Sequence, residues 1–119
     1  MLRLRNVTFM TVDPLRLAAF WSTALGLAEQ RASEDEVLIA DPDWTYPRFT
    51  FQRIDDRRGR GSNGVHLDLT ATDRTAEVSR LVGAGAEEVR TVSGADPGTM
   101  TWTVMRDPDG NEFCVTSEN

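Results

Sequence analysis

The sequence predicts an α+β chain made of two copies of one strand–helix–strand–strand–strand unit, and three internal echoes carry the prediction. "DPLRLAAFWSTALGL" at residues 13–27 returns sixty positions later as "DRTAEVSRLVGAGAEEV". An alternating apolar run leads into each of them, "NVTFMTV" before Asp13 and "HLDLTAT" before Asp73. Further on, "VLIADPD" and "TVMRDPD" each close an apolar run on Asp-Pro-Asp, and each is followed by an alternating stretch, "RFTFQRI" and "NEFCVTS". Two copies of so long a period indicate duplication within a domain, not a solenoid. Helices on one face of mostly antiparallel sheets give the class.

Each element has its own physical signal. Asp13 can cap a helix and Pro14 suits its first position, where no backbone N–H is required. Leu17, Phe20, Trp21 and Ala24 recur at three- and four-residue steps, and Gly26 stops the helix. In the second copy Asp73 is the cap, Val78, Leu81 and Val82 form the stripe, and Gly83 or Gly85 is the stop. "DPDGN" reads as a hairpin turn with Gly110 at positive φ. The first module is expected over residues 1–54 and the second over 64–119. "DDRRGRGSN", residues 55–63, reads as a polar linker, and its Arg57, Arg58 and Arg60 as solvated.

Composition closes off several function classes. A net charge of −6 gives no basic face for nucleic acid. No apolar run approaches the roughly 20 residues that span a bilayer. All 13 basic residues are arginine, so no lysine can form a Schiff base or serve a Walker-type phosphate loop. No Gly-x-Ser-x-Gly elbow occurs. Cys114 is the one cysteine, so an internal disulfide is impossible and a reducing cytoplasm is the expected compartment.

"DPLRLAAFWSTALGL", "VHLDLTATD" with its following helix, and "DPDGNEFCV" together resemble the vicinal oxygen chelate superfamily, and most closely its small glyoxalase-like, bleomycin resistance-like branch. The resemblance spans nearly the whole chain. It implies two βαβββ modules forming a partly open barrel of the glyoxalase/bleomycin resistance/dioxygenase type, with helices outside. It also implies a homodimer and a small organic ligand in the cavity. In metal-using relatives, histidine, glutamine or glutamate from the first and last strand of each module hold a divalent ion.

The repeat locates the corresponding positions here. His66 lies seven residues before Asp73, and Asn6 seven before Asp13. Where metal-using relatives place glutamate after "DPDGN", this chain has Cys114; the first-module counterpart is Thr50 or Gln52. Asparagine and threonine are poor ligands for a hard divalent ion, and a His–Cys pair alone is too few for zinc, so no metal and no cofactor are expected. His66 is then either a hydrogen-bonded fixture or a working acid/base group, with Asp68 and Glu112 on its face as partners. Cys114 is either a buried small hydrophobe or, with a lowered pKa, a reactive thiol. Thr8, Gln52 and Trp102 complete the expected pocket lining with Asn6, Thr50, His66, Asp68, Glu112 and Cys114. Trp44 and Tyr46 fall in a loop as an exposed aromatic pair, and Trp21 reads as core or dimer contact. The expected function is binding of a small organic molecule without metal. The alternatives are a metal-dependent lyase, isomerase or dioxygenase, and a metal-free acid/base enzyme using His66.

Overall fold

The computed structural model describes residue 1 and residues 4–55, 66–94 and 100–117. Most of the expected linker, with Arg57, Arg58 and Arg60, lies outside the described residues. By its internal contacts the chain divides into Met1–Asn63 and Gly64–Asn119, and each unit is described by itself.

The first unit runs β1 (Asn6–Thr11), α1 (Pro14–Leu25), β2 (Ala28–Ala32), β3 (Glu36–Ala40) and β4 (Arg48–Arg53). Its sheet is open and mixed, in the order β1-β4-β3-β2, with β1 parallel to β4 and the other pairs antiparallel. Asp13 accepts the Arg16 backbone N–H at 3.2 Å, Pro14 opens α1, and Gly26 at φ +69° closes it. Trp21 and Leu17 are fully buried. The Phe9 ring stacks on Trp21 at 5.5 Å and on Phe51 at 5.3 Å, and Phe20 meets Trp21 edge-on. Trp21 is therefore a core residue. Because Phe9 and Phe51 form one register pair under α1, the alternate residues Asn6, Thr8, Met10, Arg48, Thr50 and Gln52 share the helix-free face.

The second unit repeats the order with β5 (Leu67–Ala71), α2 (Arg74–Gly83), β6 (Glu87–Ser93), β7 (Thr101–Arg106) and β8 (Glu112–Ser117). The sheet order is β5-β8-β7-β6, again with the first and last strands parallel. Asp73 caps α2 by accepting the Ala76 N–H at 3.0 Å. The helix continues through Gly83, and Gly85 at φ +116° is the residue that turns the chain away. Val78 and Leu81 bury the helix stripe, and Met105, Phe113 and Val115 bury the sheet face beneath.

That face holds one polar device the sequence did not announce. Arg74, the first helical residue, donates from Nη1 to Thr103 Oγ1 at 2.7 Å, and Thr103 bonds Thr91 Oγ1 at 2.9 Å. Thr103 is fully buried, and Arg74 Nε is buried without a partner. With Thr103 fixed on the helix side, Val104 and its register mate Cys114 must lie on the helix-free face.

The two Asp-Pro-Asp turns share their hydrogen bonding but differ at the left-handed position. Asp107 Oδ1 accepts the N–H groups of Asp109 and Asn111, each at 2.9 Å, and Gly110 follows at φ +85°. Asp41 Oδ1 likewise accepts from Asp43 and Thr45 at 2.8 and 3.1 Å, but the left-handed position is filled by Trp44 at φ +58°.

Candidate functional site

The helix-free face of the second sheet carries the titratable cluster. His66 immediately precedes β5, Asp68 is its alternate neighbour on that strand, and Asp68 pairs in register with Cys114 on β8. The pleat thus puts all three side chains on one side. Cys114 Sγ lies 3.4 Å from His66 Nε2, and His66 Nδ1 lies 3.5 Å from Asp68 Oδ1. The imidazole therefore bridges thiol and carboxylate, one on each ring nitrogen. The His66 side chain is 43% exposed and Asp68 76%, whereas Cys114 is buried.

Burial pushes the Cys114 thiol above its ordinary value of 9.0; the Asp68 carboxylate adds to this, the Arg90 guanidinium opposes it, and Glu112 adds again. The thiol is protonated at neutral pH, contrary to the lowered pKa expected of a resting thiolate. Glu112 shares the Cys114 face and pairs with Arg106 at 3.7 Å; Arg106 also reaches Glu87 at 3.6 Å. Glu112 is therefore held in an ion-pair chain with Arg106 and Glu87. Trp102, opposite Thr116, is half-buried on the same face, four register pairs from Glu112.

The first unit repeats this layout in uncharged form. Asn6 Nδ2 donates to Thr8 Oγ1 at 3.0 Å, and Thr50 Oγ1 donates to Asn6 Oδ1 at 3.2 Å. Thr8 pairs with Thr50 as Asp68 pairs with Cys114. Register thus selects Thr50, not Gln52, as the counterpart of Cys114. Gln52 shares the face but sits two register pairs further along, opposite Met10 and Glu36, and is exposed.

These donors do not fit the divalent ion of metal-using relatives. Asn6 and Thr50 are neutral and satisfy each other. In the second unit three donor atoms, from His66, Asp68 and Cys114, lie within 4.8 Å of one another, one more than the sequence suggested. Yet the carboxylate and the thiol approach opposite nitrogens of the ring. To hold an ion these groups would have to turn toward one imidazole nitrogen and the thiol would have to lose its proton on binding, and the set differs from the four-residue site of the metal-using relatives.

A second cluster lies on the loop between β3 and β4. The Arg48 guanidinium lies 5.0 Å from the Trp44 ring and 4.7 Å from the Tyr46 ring, while its Nε and Nη2 donate to the Trp44 carbonyl. The Arg5 guanidinium also lies over the Tyr46 ring, 5.6 Å from its centroid. Trp44 and Tyr46 are exposed, as expected, and with Thr45 and Arg48 they line an open hollow of about 480 Å³. The sequence did not show that an arginine would insert between them. Their spacing to Arg48, four and two residues on, was the available signal.

Two βαβββ modules with open mixed sheets, each presenting polar strand residues on its helix-free face, define a protein of the vicinal oxygen chelate superfamily. The chain belongs to the glyoxalase-like domain family, whose model matches residues 6–116. Solved structures agree on the fold. A glyoxalase/bleomycin resistance protein/dioxygenase family enzyme from Burkholderia phytofirmans PsJN is 16% identical, with a TM-score of 0.78 over 99% of this chain and 100% of that one. A glyoxalase-related enzyme from Fulvimarina pelagi is also 16% identical, with a TM-score of 0.74 over 99% and 89%. A glyoxalase/bleomycin resistance protein/dioxygenase from Nocardioides is 13% identical, with a TM-score of 0.70 over 99% and 84%. No curated protein matches the sequence. Among the described residues, no helix is long and apolar enough to cross a membrane.

Proposed function

We propose that this glyoxalase-like domain binds a small, uncharged organic molecule on the helix-free face of its second sheet, without a resident metal, and that His66 is the group the ligand meets. The supporting observation is the position of the imidazole. It is half-exposed, anchored on one nitrogen by Asp68 and on the other by the buried Cys114 thiol. Asp68 and Glu112 disfavour an anion there, and Trp102 on the same face offers a flat apolar surface. The cytoplasm and a homodimeric state belong to the same proposal.

A thermal-shift screen with small uncharged aromatic and carbonyl compounds tests it. A saturating ligand raises the melting temperature of the wild type, because it binds only the folded chain. His66→Ala removes that rise. Elemental analysis of the purified protein gives less than stoichiometric Zn, Ni, Mn or Fe. A bound metal lost on His66→Ala contradicts the reading.

A further inference from the structure

From this geometry we infer that Cys114 is a nucleophile toward small, uncharged electrophiles that carry a leaving group, with His66 as its base and Asp68 as the positioning residue. The inference rests on the proposed ligand face and adds a covalent step to it. Its ground is the order of the three groups: thiol, imidazole, carboxylate, each in reach of the next. That is the arrangement by which an imidazole can accept a proton from a nucleophile while a carboxylate holds the ring in the required tautomer. The first unit supplies the contrast, since Thr50, Asn6 and Thr8 occupy the same register positions and form the same links without a titratable group.

The surroundings define the substrate class. The thiol lies beneath a half-exposed ring, so only a small molecule reaches it. Asp68 acts on the thiol more strongly than the opposing Arg90, while Glu112 is paired with Arg106, so an uncharged reagent is favoured over an anion. Because the thiol is protonated at rest, its proton must move to His66 Nε2 as the Sγ–C bond forms. The bond from carbon to the leaving group breaks with its electron pair, and the proton on Nε2 passes to the departing group or to water. No oxidant or further reactant is needed.

Cys114 is the one thiol of the chain, so alkylation by iodoacetamide reports on it alone. At neutral pH the native protein should react at least about tenfold faster than the same chain unfolded in urea, as expected for a base-assisted nucleophile. The preference for iodoacetamide over iodoacetate should also be larger in the native state. His66→Phe keeps the ring volume and removes both nitrogens, and should lower the native rate by at least about tenfold. Asp68→Asn should slow it less, with partial recovery in Asp68→Glu, a rescue that a merely structural role would not produce. Circular dichroism verifies that each variant is folded. A native rate at or below that of the unfolded chain, or one unchanged in His66→Phe, overturns the inference. Ligand-induced thermal stabilisation that persists in that case leaves the binding proposal standing.

Discussion

Cys114 and His66, 48 positions apart in sequence, meet through Sγ and Nε2 at 3.4 Å because β8 lies parallel to β5 and sets Cys114 beside Asp68. The duplicated first unit makes the same contact with Thr50 and Asn6 at 3.2 Å. One copy of the fold therefore carries a titratable chain of groups where the other carries a neutral one.

The raised pKa of Cys114 has a consequence for stability. The folded thiol holds its proton at pH values where the unfolded thiol, near 9.0, has lost it. The native state then binds more protons, so stability is fully present below that value and falls as pH rises through the window up to the folded pKa. Urea midpoints measured from about pH 8 to about pH 10 should fall more steeply in wild type than in Cys114→Ala. Parallel profiles would remove the burial argument.

Helix capping gives a simpler expectation. Asp73 accepts the Ala76 N–H at 3.0 Å at the start of α2. Asp73→Ala should cost about 1 kcal/mol in urea unfolding, the usual cost of a lost cap. The corresponding Asp13→Ala should cost a similar amount, since Asp13 makes the same bond to Arg16.

Gly110→Ala isolates backbone conformation from packing. A Cβ there meets nothing within 4 Å, while φ is +85°. The expected loss, about 1–2 kcal/mol, is the cost of placing an L side chain in the left-handed region. A neutral result would show that the turn relaxes, and the equivalent turn in the first unit, with Trp44 at φ +58°, gives the frame for comparing them.

Arg74 and Thr103 should respond unequally to substitution. Thr103→Val leaves Arg74 without its hydrogen-bond acceptor beside an already unpartnered Nε, at an expected cost of about 1–3 kcal/mol. Arg74→Met removes both demands, keeps the stem's packing and leaves the Thr91–Thr103 bond in place, so its effect should be below about 1 kcal/mol. Chemical denaturation of the two variants checks the difference.

The repeat, both helices with their Asp caps, and the Gly110 turn were legible because each depends on local chemistry. Cap, periodicity and stop are all written within a dozen residues. The pairing of Asn6, Thr50, His66 and Cys114 followed from symmetry between the copies. What remained hidden depends on contacts between distant strands. The choice of Thr50 over Gln52 needed the β1–β4 register, and the bridging role of His66 needed the side-chain geometry across β5 and β8. Arg74 read as one more surface arginine until the helix placed its guanidinium over Thr103. For Arg48 the spacing to Trp44 and Tyr46 was the one local signal, and its place against both rings needed the loop geometry.

His66 is the single histidine, so its imidazole nitrogens can be followed by 15N NMR without ambiguity. If Asp68 accepts from Nδ1 and Cys114 donates to Nε2, the neutral ring is the Nδ1–H tautomer, and Asp68→Asn or Cys114→Ala weakens that preference. A neutral ring protonated on Nε2, unaffected by either substitution, would contradict the chain of thiol, imidazole and carboxylate on which the account stands.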